Sequence, residues 1–336
     1  MQALPPGLKP IGLLLLSVFL VVFPFLHEWP FFRIFLGEFR TFNATMFAIW
    51  LLVLLGMNLL TGYSGQISFG HAALVLASAY LTAVLSQQYA FPLWGAIGLS
   101  GAATAVVGWV TIGIPAVRLR GPYLAIATFG LMLAFPQILK MNVLTRWTQG
   151  ALGIRGGVVE PPGFLEGVLD GREWMYYVAM AAAVAMTVLF LNLTRSRTGR
   201  AFVALRDSEV GAEQMGVDVP RYKALAFGVS SLYAGIGGGL FFAVQGFVSP
   251  DSLGLIDSIF FLVAIVIGGL GSVLGSIIAA LFLTFQSEAI SALAGFVPGA
   301  NNLRNVFYGA SLIAVIVLFP KGIAGFFQRP LWPKLR

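Results

Sequence analysis

Residues 41–117 read TFNATMFAIWLLVLLGMNLLTGYSGQISFGHAALVLASAYLTAVLSQQYAFPLWGAIGLSGAATAVVGWVTIGIPAV and contain no Asp, Glu, Lys or Arg. A single helix of these 77 residues would be about 115 Å long, whereas the hydrocarbon core of a bilayer is only about 30 Å thick. The chain must therefore turn several times inside or beside a membrane. Turn-forming residues at Thr61–Gln66 and Phe91–Pro92 mark two of these turns.

The composition of the whole chain supports a membrane location. Of 336 residues, 58% are hydrophobic and only 10% are charged, compared with about 45–50% and about 25% in ordinary soluble domains. The chain has no Cys and two His, which excludes disulfides, thiolate nucleophiles and multi-histidine metal centres. The net charge of +7 does not indicate nucleic-acid binding, because the basic residues flank apolar blocks as in membrane proteins. No catalytic and no metal-binding residue is predicted.

Nine charge-free blocks are long enough, or nearly long enough, to cross a bilayer, which needs about 20 apolar residues. They are approximately 11–26, 44–60, 72–86, 93–117, 123–139, 174–193, 224–248, 259–283 and 305–319. The first block follows Lys9 like the apolar region of a signal peptide. No small-residue cleavage site follows it, so we interpret it as a membrane helix. The sequence predicts an all-α, polytopic integral membrane protein with about 9–10 transmembrane segments.

The basic residues predict the orientation of the spans, since loops rich in Lys and Arg stay in the cytoplasm. Segment 194–223 carries six of them and is assigned to the cytoplasm: Arg195, Arg197, Arg200, Arg206, Arg221 and Lys223. Counting spans from this segment places the loop 140–173 outside, and Arg118, Arg120 and the N-terminus inside. The basic tail 321–336 also belongs in the cytoplasm, which requires an even number of spans after residue 223.

An even number is obtained if 255–290 forms two pieces, interrupted by the glycine-rich run Gly268–Gly275. We expect a half-helix, a glycine break and then a full span. The chain is then one transmembrane domain, 1–336, divided into N-terminal spans (1–193), a cytoplasmic coupling segment (194–223), C-terminal spans (224–320) and the tail. Non-helical backbone at membrane depth survives only when it is buried in protein or lines a wet cavity. Broken helices therefore point to a translocation pathway.

Two glycine-rich polar insertions form the candidate solute pathway: the first insertion, residues 62–71, and the second insertion, residues 268–275. The candidate pathway residues are Tyr63, Ser64, Gln66, Ser68, His71, Gly268, Gly269 and Gly271. Their backbone groups and polar side chains would contact a polar solute or form a gate. Two simpler interpretations stay open. The first insertion is equally well a tight turn capped by its own hydroxyls, and single glycines also serve close helix packing.

Few ionisable side chains lie within or beside the apolar blocks. His71 would be a proton relay only with a second ionisable partner, and the rest of the charge-free stretch contains none. We therefore interpret His71 as a structural or solute-facing neutral residue. Glu288 lies close to the interior of an apolar block, with Asp251 and Asp257 before it. These carboxylates mark either a coupling-ion site or helix ends at the membrane surface, with Asp251 or Ser252 as an N-cap, and we prefer the second interpretation.

The segment Gly199–Gly216 is predicted to be a helix with two faces. One stripe consists of Ala201, Phe202, Ala204, Leu205, Ala212 and Met215, and the other, mixed face carries Arg200, Arg206, Asp207 and Gln214 with Val203 and Val210. Such a helix either lies on the bilayer surface or docks a protein, and the balance of four acidic and six basic residues favours docking. No Gly-x-x-x-x-Gly-Lys-Ser/Thr loop occurs in the chain. ATP-driven transport would therefore need a separate ATPase subunit.

Several motifs resemble those of one transporter family. Residues 58–73, NLLTGYSGQISFGHAA, look like the signature of membrane permease subunits of branched-chain amino-acid ABC importers of the LivM type. Four further segments are similar to that family: LRGPYLAIAT at 119–128, the outer loop at 144–156, GGLGS at 268–272 and PKG at 320–322. The linker 199–223 resembles the cytoplasmic coupling segment of the family. The resemblance runs from about residue 42 to about residue 325.

This resemblance implies a permease that takes branched-chain or other neutral amino acids into the cell, in a family that also serves urea and short amides. It implies a bacterial or archaeal cytoplasmic membrane, a second related permease and an extracytoplasmic solute-binding protein. Two cytoplasmic ATPases would use the ATP, and this chain would bind no cofactor. The linker residues expected to contact these ATPases are Arg206, Asp207, Glu209, Ala212, Glu213, Met215 and Gly216.

Two other classes of protein compete with this interpretation. An ion-coupled secondary transporter would use Glu288 or His71 as its coupling site and would need no ATPase. A membrane-embedded enzyme would require a cluster of acid, base or nucleophile at membrane depth, and the sequence shows no such cluster.

Overall fold

The computed structural model describes residues 41–117, 119, 122–156, 159–163, 169–294 and 322–327, and single positions at 306, 309, 310, 313 and 317. Its α-helices are α1 (Thr41–Asn58), α2 (His71–Gln87), α3 (Leu93–Gly108), α4 (Ile114–Ala116), α5 (Pro122–Leu139), α6 (Thr145–Thr148), α7 (Gly171–Arg195), α8 (Arg197–Asp207), α9 (Glu209–Gln214), α10 (Val219–Gln245), α11 (Leu255–Gly268), α12 (Val273–Ala294) and α13 (Gly322–Phe327). Two π-helical turns, Leu59–Tyr63 and Trp109–Gly113, extend α1 and α3, and a 3-10 turn covers Gly150–Leu152. Two short antiparallel strands, β1 (Ile154–Arg155) and β2 (Phe247–Val248), pair with each other.

Eight apolar helical segments in the described part of the chain correspond to predicted blocks. Four are long and apolar enough to cross a membrane: Thr41–Tyr63, Leu93–Ala116, Gly171–Arg195 and Val219–Gln245. Four shorter segments are His71–Gln87, Tyr123–Leu139, Leu255–Gly268 and Val273–Gln286. The predicted all-α, polytopic membrane architecture is confirmed. The predictions for block 11–26, most of block 305–319, Lys9, Arg118, Arg120 and most of the tail 321–336 lie outside the described residues.

The helices α1 and α10 lie at the centre of the bundle. In the most apolar 18 residues of each long span, 89% of the positions are buried in the span that contains α1 and 72% in α10. The corresponding fractions are only 39% in the span that contains α3 and 33% in α7. α1 packs against α7, α10 and α12, and α10 also packs against α2 and α3. The outer helices expose large apolar side chains, which include Leu99, Val106, Ile126, Leu133 and Val188. An outer surface of this kind is suited to lipid or to another apolar protein surface.

Small residues allow α10 to approach α2 and α3 closely. A Cβ atom added at Gly238 would collide with the Val75 carbonyl oxygen of α2, and one at Gly235 would lie 2.8 Å from Gly101 Cα of α3. The Ser78 hydroxyl of α2 donates to the Gly235 carbonyl oxygen over 2.5 Å. Such interfaces are common between membrane helices, where close van der Waals contact and hydrogen bonds drive association.

The predicted glycine break is confirmed, but it is shorter than the glycine-rich run. α11 ends at Gly268 and α12 begins at Val273, so the last part of the run is helical. At Gly269 and Gly271 the φ angles are 116° and 74°, a region that residues with a Cβ atom rarely adopt. α11 and α12 then pack against each other, with Gly268 against Gly275. The expected short helix and full span are therefore two packed helices of 14 and 22 residues.

The two ends of the bundle carry different connections. At one end, α7 leads into the linker helices α8 and α9, and α13 packs against α11 and α12. At the other end, β1 pairs with β2, and Lys140 forms an ion pair with Asp251 over 2.7 Å. We call these the linker end and the strand end.

Replacing Gly238 with Ala is expected to destabilise the protein, because the added methyl group would force α10 away from the Val75 carbonyl oxygen. Overpacking of this kind costs about 1–3 kcal/mol of unfolding free energy. The thermal unfolding midpoint of the detergent-solubilised chain measures the loss. Gly98→Ala in α3 is the matched control, since no atom lies within 4 Å of the added Cβ and Ala is the better helix former. Equal midpoints for the two variants would show that the close approach is not a packing constraint.

Candidate functional site

The polar side chains of the first insertion mostly form hydrogen bonds within the same turn. The Ser64 hydroxyl donates to the Leu60 carbonyl oxygen over 2.7 Å, and Gln66 Nε2 donates to Ser64 Oγ over 3.1 Å. Ser68 Oγ accepts a hydrogen bond from the Gly70 amide over 3.2 Å. This geometry supports the interpretation of a self-capped turn. It leaves Gln66 Oε1 as a buried acceptor that has no hydrogen-bond partner among the described residues.

His71 is fully buried where α2 begins. Its ring nitrogen Nε2 lies 3.0 Å from the Val53 carbonyl oxygen of α1 and donates to it, because a carbonyl oxygen can only accept. The other ring nitrogen, Nδ1, is buried without a partner in the part of the chain that the structure describes. His71 therefore ties α2 to α1, and its contact with a solute stays a prediction.

Tyr63 points its ring at the outer helix α7. The ring packs edge-on against Phe190, with ring centroids 5.5 Å apart. Phe190 in turn packs edge-on against Tyr233 of α10, with centroids 6.0 Å apart. Tyr63, which was predicted as a pathway residue, thus contributes to the packing between the π turn after α1 and the helix α7.

Asn58, the last residue of α1, connects that helix to the break between α11 and α12. Its side chain is fully buried. Nδ2 donates to the Ser272 carbonyl oxygen over 2.8 Å and to Ser276 Oγ over 2.9 Å, while Oδ1 accepts from the Gly271 amide over 2.8 Å. Asn58 was not among the predicted site residues. The available signal was an amide side chain near the end of an apolar block, four residues before the start of the first insertion.

The two insertions meet at their glycines. A Cβ atom added at Gly62 would collide with Asn58 Oδ1 and with the Gly271 amide nitrogen. A Cβ atom at Gly65, where φ is 70°, would lie 3.0 Å from Arg206 Cγ of α8. We call Asn58, Gly62, Gly65, Arg206 and Gly271 the glycine junction. The sequence predicted each insertion, but not their contact.

Arg206 brings the linker into the glycine junction. Its Nη1 donates to the Gly62 carbonyl oxygen over 3.0 Å, and its Nε donates to Asp207 Oδ1 over 3.1 Å. A Cβ atom at Gly271 would lie 3.3 Å from Arg206 Nη1, so the guanidinium also lies beside the break before α12. The side chain therefore connects α8 directly to the π turn after α1 and adjoins the second interrupted helix.

The linker consists of two helices, so the prediction of one continuous helix is wrong. Ser208 has an extended backbone, with φ −164° and ψ 117°, and its Oγ accepts from the Gly211 amide over 3.0 Å to cap α9. Ala201, Phe202, Leu205 and Ala212 of the predicted apolar stripe are buried. Met215, placed in that stripe, is 85% exposed. Ala212, expected to contact an ATPase, is buried, because α9 turns it inward.

The other linker residues that were predicted to contact the ATPases fall into two groups. Asp207, Glu213 and Gly216 are exposed. Glu209 forms an ion pair with Lys223 of α10 over 2.5 Å, and the Lys223 side chain is only 4% exposed. The Glu209 side chain is 37% exposed, so the pair joins a buried ammonium group to a carboxylate at the surface. Glu209 therefore fastens α9 to the central helix α10, while the exposed residues form the outer surface of the linker.

The acidic residues near the strand end have structural partners. Asp251 pairs with Lys140 over 2.7 Å, and Asp257 Oδ2 accepts from the Gly254 amide over 2.8 Å. These contacts fit the preferred interpretation as helix-end residues. The N-cap of α11 is Gly254, so the expected cap at Asp251 or its neighbour is wrong. The side chain of Glu288 lies outside the described residues.

A cavity of about 340 Å³ lies at the strand end, away from the glycine junction. It is formed by the last turn of α2, the start of α3, the loop between β1 and α7 and the end of α10. Its polar and aromatic lining consists of Ser86, Gln87, Glu160, Phe91, Trp94 and Phe242. None of the predicted pathway residues is among the described residues that line it.

Comparison with known proteins gives matches along most of the chain. A family model described as "Branched-chain amino acid transport system / permease component" matches residues 40–316. The high-affinity branched-chain amino acid transport system permease protein LivM of Salmonella typhimurium is 32% identical over 304 residues, which cover 83% of this chain and 68% of LivM. The corresponding protein LivH of Escherichia coli K12 is 24% identical over 303 residues, which cover 85% of this chain and 94% of LivH.

More distant similarity extends to a permease with another named solute. The autoinducer 2 import system permease protein LsrC of Enterobacter sp. is 27% identical over 251 residues, which cover 70% of this chain and 65% of LsrC. No solved structure matches the chain significantly. The family match and the LivM similarity agree with the motifs at 58–73 and 268–272. The chain therefore belongs to the branched-chain amino acid transport permease family, the membrane permeases of ABC importers.

Proposed function

We propose that this chain is the membrane subunit of an ATP-driven importer that carries branched-chain or other neutral amino acids into the cell. The family and the LivM relatives support this solute class, and urea or short amides are the alternative solutes. The observation that carries the proposal is the position of Arg206, which joins the linker to Gly62 and lies beside Gly271. A linker held in this way is suited to transmit the motion of an attached ATPase to the membrane spans.

The proposed importer needs partners that this chain does not supply. The sequence has no phosphate-binding loop, so we assign ATP binding and hydrolysis to two cytoplasmic ATPase subunits. Similarity to both LivM and LivH supports a pore formed with a second, related permease. The exposed apolar faces of α3 and α5 suit contact with that permease or with lipid. An extracytoplasmic solute-binding protein would deliver the solute to the strand end.

We place the linker end on the cytoplasmic side of a bacterial or archaeal inner membrane, because the basic residues of 194–223 favour that side. A Cβ atom added at Gly322 would lie 2.5 Å from Gly269 Cα, so α13 lies at the break next to the glycine junction. This contact supports the expectation that the tail 321–336 lies on the same side as the linker. The N-terminus is assigned to that side as well.

The proposed mechanism is alternating access controlled from the linker. ATP binding would bring the partner ATPases together and move α8 and α9. Arg206 would carry this motion to the π turn after α1 and to the break before α12, where helical hydrogen bonding is already interrupted. Interrupted helices are the usual positions of solute sites and moving parts in transporters. A neutral zwitterion suits a pathway with few charges, because helix-end dipoles and carbonyl groups can bind both of its charged groups.

Replacing Arg206 with Ala is expected to uncouple ATP hydrolysis from uptake, because the change removes the hydrogen bond to Gly62 and leaves the surface of α9 intact. A hydrogen bond of about 1 kcal/mol at a partly exposed side chain corresponds to a roughly fivefold shift in the equilibrium between the attached and the detached linker, so less solute should be imported per ATP hydrolysed. Leucine uptake and phosphate release are measured together in proteoliposomes that contain the complete complex.

The matched control for this experiment is Arg200→Ala. Arg200 is an exposed arginine of the same helix, and it donates to the Arg195 carbonyl oxygen over 3.3 Å. Its removal should leave the ratio of uptake to hydrolysis unchanged. An unchanged ratio in Arg206→Ala would contradict the coupling role of the glycine junction.

Met215→Glu is expected to weaken the attachment of the ATPase subunits, because Met215 is an apolar side chain that is 85% exposed at the linker end and Met is enriched at protein interfaces. A central interface contact of about 2 kcal/mol predicts a loss of affinity of roughly thirtyfold. The amount of ATPase that co-purifies with the solubilised chain measures the effect. Leu152→Glu, 83% exposed at the strand end, is the control. Equal ATPase recovery for both variants would remove Met215 from the interface.

A further inference from the structure

The cavity at the strand end combines aromatic rings with a carboxylate. Phe91, Trp94 and Phe242 contribute three rings, and Glu160 is the ionisable residue among the described residues of the lining. No basic side chain lines the cavity within the described part of the chain. The faces of aromatic rings carry negative charge density and attract cations. The lining therefore favours a positively charged group over an anion.

Two of the aromatic rings are held in place before any ligand binds. A Cβ atom added at Gly95 would lie 2.7 Å from Phe91 Cε1, so this ring packs against the backbone of α3. Trp94 packs edge-on against Trp174 of α7, with ring centroids 6.2 Å apart. A site whose side chains are already ordered loses less conformational freedom on binding.

The loop that carries Glu160 is fastened to the end of α10. The Gly156 amide donates to the Gly246 carbonyl oxygen over 2.8 Å. A Cβ atom added at Gly156 would lie 2.9 Å from Phe242 Cζ, so the loop backbone contacts the ring directly. Gly156, Glu160 and Phe242 all line the same cavity.

The size and the remaining lining restrict the ligand. A volume of about 340 Å³ is at the lower end of the range of ligand pockets, about 300–1,000 Å³. Leu93, Val159 and Ala243 provide an apolar wall. The Gln87 amide and the Ser86 hydroxyl are the neutral polar groups available to a second polar part of the ligand.

We propose that this cavity binds a small solute that has a primary ammonium group and an aliphatic side chain. The ammonium group lies against Glu160 and the aromatic rings, and the aliphatic part lies against the apolar wall. This inference rests on the proposed function for the direction of transport, and it assigns the outer receiving site of the permease to residues that are separate from the glycine junction.

The test uses photo-leucine, a leucine analogue with a photoreactive diazirine in its side chain, and the complete complex in native membranes. After illumination, the labelled peptides are mapped by mass spectrometry. We expect label on the peptides that contain residues 86–94 or Glu160, and excess leucine should remove it. The same diazirine acid without an amino group should not label these peptides, because it offers no ammonium group.

Glu160→Gln should reduce the labelling about fivefold or more, because Gln keeps the hydrogen-bond acceptor but loses the negative charge, and hydrogen bonds to charged groups are stronger by about 1–1.5 kcal/mol. Glu160 is exposed, so its replacement does not disturb the packed core. Asp251→Asn is the matched control, because it removes an acidic group at the same end of the bundle but outside the cavity lining. Its labelling should equal that of the unaltered chain.

The possible results separate this inference from the proposed function. Absence of label, label on other segments only, or equal labelling of Glu160→Gln and the unaltered chain overturns the cavity assignment. Expected labelling in a complex that shows no ATP-dependent leucine uptake instead overturns the proposed function, and the cavity assignment stands.

Discussion

Backbone groups at membrane depth must find their hydrogen-bond partners inside the protein, because lipid offers none. The π turn after α1 and the break before α12 both interrupt helical hydrogen bonding, and the side chain of Asn58 joins them by binding the backbone of Gly271 and Ser272. Arg206 satisfies the Gly62 carbonyl oxygen from the linker. Close contact between the two insertions is possible only because Gly62 has no Cβ atom. The relative positions of the linker, α1 and the α11–α12 pair depend on these contacts.

The two roles proposed for the ends of the protein rest on the glycine junction and on the cavity. The linker end holds the contacts that a moving ATPase would displace, and the strand end holds a preformed cavity with Glu160 in its lining. α1 ends at the glycine junction, and α10 runs from the Glu209–Lys223 ion pair to Phe242 at the cavity. Because α1 and α10 are the central helices, the proposed shift at the linker end would act on the packing that separates the two sites. Sliding of packed helices is an established form of switching transition.

Prediction from the sequence succeeded for features that depend on local composition. It failed where distant segments of the chain meet. Apolar blocks predict spans because their length must match the bilayer, and consecutive glycines predict a break because they weaken a helix and allow positive φ. Asn58 and Gly271 are 213 positions apart, so their contact follows from helix packing that no local pattern encodes. Ser208 ends one linker helix and caps the next, and Met215, which follows the second helix, lies at the surface. The cavity went unpredicted because four separate segments assemble it.

Transmission from the linker to the spans through Arg206 is the central claim, and distances between spin labels test it directly. The chain has no Cys, so a pair of introduced cysteines gives this chain two labelling sites and no others. Labels at Leu152, at the strand end, and at Leu274, in the first turn of α12, occupy exposed positions at opposite ends of the bundle. Pulsed electron paramagnetic resonance on the complete complex, with and without a non-hydrolysable ATP analogue, should show a nucleotide-dependent change in this distance that Arg206→Ala abolishes. The same change with and without Arg206 would contradict the account.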